Sequence, residues 1–239
     1  EEMGKHHAEH VNKMMLEDVT TPAGNDFESL DRVTADSTKL TVASGSVDSL
    51  TDHDMYSITR DGSAAFHSAE CDIGGDGSAT SVNRNLSLNQ LDGLFQQIWT
   101  RGGNPKVILT GYDTLMRTQQ LLQSQQRFMD SKRITPTYSG VKGVPGIEAG
   151  FIVATYNGVP IIPTKDMGDE GAGSLSRAYY LDTDYLWFQT AIPTQYFESG
   201  IETGDPFAIN RLGQEGLYRT MGELWCSFFG ASGSIRDLQ

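Results

Sequence analysis

The sequence predicts a loop-rich α+β fold, and three observations carry that prediction. An amphipathic helix pattern of near-ideal spacing follows Ser87, two apolar strand-like runs flank Asn157-Gly158, and glycine accounts for 26 of 239 residues. A chain of this length holds one large domain or two modest ones around a proper core.

In the helix after Ser87, Leu91, Leu94, Phe95, Ile98 and Trp99 fall at i, i+3, i+4, i+7 and i+8, a continuous apolar stripe. Ser87 and Gln90 form an S-x-x-Q capping box, and Gly102-Gly103 stop the helix. Val107-Ile108-Leu109 reads as a buried strand. A second helix spans Tyr112 to Met129, capped by Asp113, with Leu115, Leu122 and Met129 seven residues apart. Its glutamine face (Gln119, Gln120, Gln123, Gln125, Gln126) suits solvent or a subunit contact.

Ser139 to Gly150 forms a glycine-rich loop. Phe151–Tyr156 and Val159–Pro163 then flank Asn157-Gly158, the strongest short-range hairpin signal. An acidic loop, Gly168 to Gly173, precedes Ala178–Leu181 and Leu186–Phe188. Gly216 to Phe229 reads as a long strand or hairpin arm. At the start, Ala8, Val11, Met15 and Val19 give a helical stripe over Glu1 to Asp18, broadened by Met14 and ended by Thr20–Gly24. A short helix or turn over Asn25 to Val33 takes Asp26 as its cap. Residues 34 to 86 are dominated by Ser, Thr, Asp and Gly, with Lys39–Val42 a strand candidate and Asp72–Ser78 an exposed loop.

The formal net charge is −13, from 31 acidic and 18 basic residues, which excludes wrapping nucleic acid by general charge attraction. No stretch approaches the roughly 20 apolar residues of a membrane-spanning helix. The chain starts at Glu1 with no leader pattern, so processing or truncation of the natural start is expected. Cys71 and Cys226 are too isolated for a disulfide framework or a CxxC metal site, and Cys226 reads as a small core residue.

One motif invites a catalytic reading. His6-His7-Ala8-Glu9-His10 is a literal H-x-x-E-H, in which His6 and His10 can hold zinc and Glu9 can act as general base. A catalytic zinc needs a third ligand; Glu17, Asp18 and Glu28 follow without a recognisable second motif, so a solvated helix face is expected. His67, Cys71 and Asp72 form a weaker trio in a Gly/Ser-rich loop. There is no nucleophile elbow, P-loop or dinucleotide fingerprint, and Gly140-Val141-Lys142-Gly143 is too short to cradle phosphate. Tyr179, Tyr180, Trp187 and Phe188 have strand spacing and are expected to pack in a core. No catalytic, cofactor-binding or metal residue is assigned.

From Leu88 onward the order of segments resembles the tailed-phage major capsid protein fold, which encapsulins and herpesvirus capsid floors share. Pro105–Leu115 looks like its strand-into-helix signature, and Tyr156–Asp166 like its hairpin strand. Tyr179–Leu186 is similar to the segment that follows, and Tyr218–Cys226 to the strand before the short C-terminal tail. Met14–Val19 with Phe27–Val33 resembles the end of the long spine helix and the next turn. The resemblance implies a peripheral domain over 1–103, an axial domain over 104–190 with the glycine loop near a ring axis, and a return to the peripheral domain over 191–239. It also implies an N-terminal arm and an extended hairpin that this chain lacks. Some family members crosslink a hairpin Lys to a neighbour's Asn; Asn210 is only a loose candidate.

The expected function is therefore that of a virion structural subunit, not an enzyme, self-assembling into pentamers and hexamers of an icosahedral capsid. Double-stranded DNA would be enclosed without sequence-specific binding. Portal, scaffold or decoration proteins are the further partners, with no membrane partner, no cofactor and assembly in the host cytoplasm. An encapsulin-type compartment shell is the alternative, and a zinc hydrolase using His6, Glu9 and His10 a remoter one.

Overall fold

The structure is a computed structural model that describes residues 2–16, 27–34, 56, 70–72, 85–124, 130–134, 151–167, 175–200, 214–236 and 238. Expectations placed on Val19, Asp26, 39–42, His67, 73–78, 125–129, 139–150, 168–173 and Asn210 lie outside these residues. In chain order come α1 (Glu2–Leu16), α2 (Leu30–Val33), β1 (Glu70–Asp72), α3 (Leu88–Thr100), β2 (Val107–Thr110) and α4 (Tyr112–Ser124). Then follow β3 (Asp130–Ile134), β4 (Phe151–Tyr156), β5 (Val159–Pro163), β6 (Ala178–Leu181), β7 (Leu186–Gly200), β8 (Gln214–Cys226), a 3-10 turn (Phe229–Ala231) and β9 (Gly233–Ile235).

Seven strands form one mixed sheet in the order β1-β9-β6-β2-β5-β4-β3, and β7 and β8 form a separate two-stranded ribbon. β2 runs parallel to β5 (Ile108 opposite Ile161) and antiparallel to β6 (Ile108 opposite Tyr180). The β4–β5 hairpin turns at Asn157 and Gly158, with φ of 49° and 79°. A two-residue turn that matches strand twist needs φ above zero at both positions, which Asn and Gly accept cheaply.

Side chains alternate across a strand, so a sheet covered on both sides buries every position of its central strands. β6 is buried throughout. Its Ala178 and Tyr180 enter one core with Leu91, Leu94 and Ile98 of α3, Leu115 and Leu122 of α4, and Ile108, Ile161 and Ile235 of the sheet. Its Tyr179 and Leu181 enter the opposite core with Leu16, Leu30, Val33, Leu224, Cys226 and Phe229. The result is three layers: helices α3 and α4, the sheet, and then α2 with the ends of α1 and β8.

α3 starts where the capping box places it, with Ser87 N–H donating to Gln90 Oε1 at 2.9 Å. It ends at Thr100, and just beyond it Gly103 N–H donates to Ile98 O at 3.0 Å; the absent side chain of Gly103 leaves room for Ala231, since a Cβ there would lie 2.6 Å from Ala231 Cα. Trp99, the last position of the predicted stripe, is exposed. α2 begins at Ser29, whose Oγ accepts from Arg32 N–H at 3.3 Å. In α1 Leu16 is buried and Met15 of the predicted stripe is half-buried, while Ala8 is exposed. Gly4 and His7 lie against Tyr218, and Val11 and Met14 are half-buried.

Candidate functional site

The feature that extends away from both cores is the β7–β8 ribbon, rooted by Leu224 and Cys226 and held by pairs from Leu186 opposite Cys226 to Gly200 opposite Gln214. Its base is fixed by Asp182, a buried carboxylate. Oδ1 accepts from Asp184 N–H at 3.1 Å, and Oδ2 accepts from Asn104 N–H at 3.0 Å. An aspartate that bonds the backbone two residues ahead makes a tight turn, and this turn directs the chain from β6 into β7. Ser227 N–H closes the base by donating to Tyr185 O at 2.9 Å.

Two register shifts, between Thr190 and Ile192 and between Ile192 and Gln195, interrupt β7. Such irregularities bend a strand and increase its twist. The even-numbered face of β8 is covered. Leu224 and Cys226 lie in the core, and Phe188 occupies the space over Gly222, where a Cβ would sit 2.6 Å from its ring. Phe27 meets Phe188 edge-on at 5.3 Å between ring centroids. Farther along, α1 lies on Tyr218 and Thr220: the His7 ring stacks on Tyr218 at 5.7 Å, and His7 Nε2 is 2.8 Å from Thr220 Oγ1.

Tyr56 runs along the edge of β8. Its hydroxyl donates to Leu224 O and accepts from Cys226 N–H at 3.2 Å, and its ring stacks on Trp225. Burial, with Cys226 nearby, pushes its pKa well above the ordinary phenol value. The odd-numbered face of β8 remains open, and Leu217, Met221 and Trp225 are exposed there. Trp187, expected in the core, is exposed as well and lies opposite Trp225. Period-two spacing identifies a strand but not which of its faces is covered, and a free ribbon covers only one.

The H-x-x-E-H residues His6, Glu9 and His10 lie along an exposed face of α1, with His6 Nδ1 3.9 Å from Glu9 Oε2. Lys165 Nζ donates to Glu9 Oε1 at 3.1 Å, a contact that raises the lysine pKa. Among the described residues no group of three or more His, Cys, Asp and Glu side chains gathers as a metal would require. An open cleft of about 430 Å³ lies at the start of α4, lined by Tyr112, Asp113, Thr164, Lys165 and Ser176 among others. Asp113 is engaged there, accepting Ser176 N–H at 2.7 Å.

Two solved structures are similar to the chain. The cyanophage A-1(L) capsid asymmetric unit is similar to the chain over its full length, covering 70% of the capsid chain at 14% identity with a TM-score of 0.55. The holo-SrpI encapsulin complex of Synechococcus elongatus PCC 7942 is similar over 66% of the chain, at 14% identity and a TM-score of 0.44. The chain spans about half, 51%, of that encapsulin subunit. No curated protein matches the sequence. The fold is thus that of a phage capsid protein, and the family model of the SU10 major capsid protein matches residues 4–207, from α1 through β7. On that match the chain belongs to the SU10 major capsid protein family.

Proposed function

We propose that this chain, a structural subunit of a virion capsid, assembles with itself into pentamers and hexamers that close around double-stranded DNA. The observation that carries this reading is the family match over residues 4–207. A closed shell needs heterologous contacts that repeat around rings and then between rings. An exposed ribbon and polar helix faces such as that bearing Gln119 and Gln120 are suited to such contacts.

In this reading residues 104–190, which contain β2 to β6, form the axial domain, and 1–103 with 191–239 form the peripheral domain. The role is structural, without a catalytic site. A net charge of −13 favours an inner wall that does not grip DNA, and DNA is then retained by enclosure. Assembly takes place in the host cytoplasm, with portal, scaffold or decoration proteins as further partners.

The test is to express the complete coding sequence and examine the product by negative-stain electron microscopy with light scattering. Closed shells, or free pentamers and hexamers, are expected, and nucleic acid or enzyme contents would separate a virion from an encapsulin-type compartment. A product that stays monomeric or dimeric under all assembly conditions would sink the reading.

A further inference from the structure

We infer that the open face of the β7–β8 ribbon is a self-docking surface, covered by a second copy of this chain. The inference rests on the shell-subunit reading for the abundance of copies, and on the ribbon itself for its location.

The exposed side chains there are Trp187 (43%), Trp225 (44%), Met221 (40%), Leu217 (62%) and Phe197 (47%). They form one row, because Leu217, Met221 and Trp225 share a face of β8, while Phe197 lies opposite Leu217 and Trp187 opposite Trp225. With large side chains at about 150–250 Å² each, this row leaves roughly 500 Å² of apolar surface in water. That matches the apolar share of one side of a standard protein interface, about 800 Å² per partner. A two-stranded ribbon is also marginal alone in water. α1 covers the other face of this one; on the row, Tyr56 stacks on Trp225 at the base, and Leu217, Met221, Phe197 and Trp187 keep large exposed surfaces.

Charge selects the occupant. Copies bearing −13 each repel one another at a distance, so a mutual contact must be apolar and must offer a cation. Arg219 stands within the row between Leu217 and Met221, its Nη2 2.8 Å from Met221 Sδ, while the carboxylate of Glu223, between Met221 and Trp225, is taken by Glu28 N–H at 2.7 Å. A cation on an apolar stripe accepts a carboxylate from an acidic copy of the same chain. An anionic membrane surface is disfavoured by the same net charge.

The experiment uses the full chain carrying Trp99→Phe, so that Trp187 and Trp225 are the remaining tryptophans within these 239 residues. Acrylamide quenching of their emission is followed against protein concentration, beside light scattering. On assembly the quenching constant is expected to fall several-fold. The double variant Leu217→Lys/Met221→Lys, folded by circular dichroism, should require at least tenfold more protein to assemble. Particles whose tryptophans quench as freely as in the dilute chain would overturn the inference while leaving the shell reading intact. Small oligomers that protect the tryptophans without closing into shells would uphold it while defeating the shell reading. Protection independent of concentration would mean that the chain covers its own ribbon, and a chain monomeric at every concentration would exclude self-docking; either overturns the inference.

Discussion

Asp31 of α2 and Arg177, just before β6, meet at 3.1 Å with both side chains buried. The same carboxylate receives the Tyr179 hydroxyl at 3.0 Å and pairs with Arg236 beyond β9, whose Nη2 also donates to Asp31 O at 3.1 Å. One carboxylate therefore ties three distant parts of the sequence together beneath the sheet. A charge this deep is tolerated because partners replace its lost water, and loss of one partner strands the others.

Asp31→Asn keeps the shape of the side chain and removes the buried negative charge that faces Arg177 and Arg236. The variant is expected to lose about 3–5 kcal/mol of stability in urea unfolding. A loss below about 1 kcal/mol would show that the carboxylate is not the anchor.

Two glycines should respond in opposite directions. A Cβ at Gly222 would meet the Phe188 ring at 2.6 Å and Gln189 O at 2.8 Å, so Gly222→Ala should cost about 1–3 kcal/mol through overpacking. At Gly93 in α3 a Cβ meets nothing within 4 Å. Gly93→Ala should therefore stabilise by about 0.5–1 kcal/mol through helix propensity. Thermal melts of the two variants decide it, and a stabilised Gly222→Ala would refute the packing at the ribbon base.

Asp113 sits in the first turn of α4. Partial burial pushes its pKa up, but hydrogen bonds from the Ser176 hydroxyl, from the Ser176 and Thr114 N–H groups and from its own N–H outweigh this and hold it below the ordinary carboxylate value. A depressed folded-state pKa stabilises above the unfolded value, and that stability is lost as pH falls through the folded one. Asp113→Asn should cost about 1 kcal/mol at neutral pH, the helix dipole and a partly solvent-screened hydrogen bond both weakening. The difference from wild type should shrink as pH falls below the carboxylate range. A difference constant with pH would assign the effect to packing.

How much of this was legible in the sequence varies with the kind of signal. Local chemistry reads well: the α3 cap and the turn at Asn157-Gly158 depend on neighbouring residues alone. The strands β2, β4, β5 and β6 and the ribbon arms are also legible, whereas β1, β3 and β9 carry no apolar run and pass unread. On α1 the stripe of Val11, Met14 and Met15 is half-buried as its spacing suggests, but at its start the docking depends on a distant strand, so His7 rather than Ala8 meets the ribbon. Trp187 was misplaced for the same reason. The Asp31 cluster left no trace, since its partners lie 146 and 205 positions away in the sequence. Charged residues so far apart give no periodicity to read.

Tyr179 and Tyr180 enter opposite cores from adjacent positions of β6, and both are fully buried. Burial raises the pKa of each above the ordinary phenol range, and for Tyr179 the Asp31 charge adds to it. A pKa raised by folding contributes stability that is complete below the unfolded value of about 10 and is lost as pH rises through the folded one. In an alkaline titration followed by phenolate absorbance, some of the nine tyrosines should ionise in the normal range. Tyr179 and Tyr180, with Tyr56, should ionise only as the far-ultraviolet dichroism collapses. Tyr180→Phe should remove one phenolate from that late step. If all nine ionise while the dichroism stays intact, the two-sided burial of β6 is wrong.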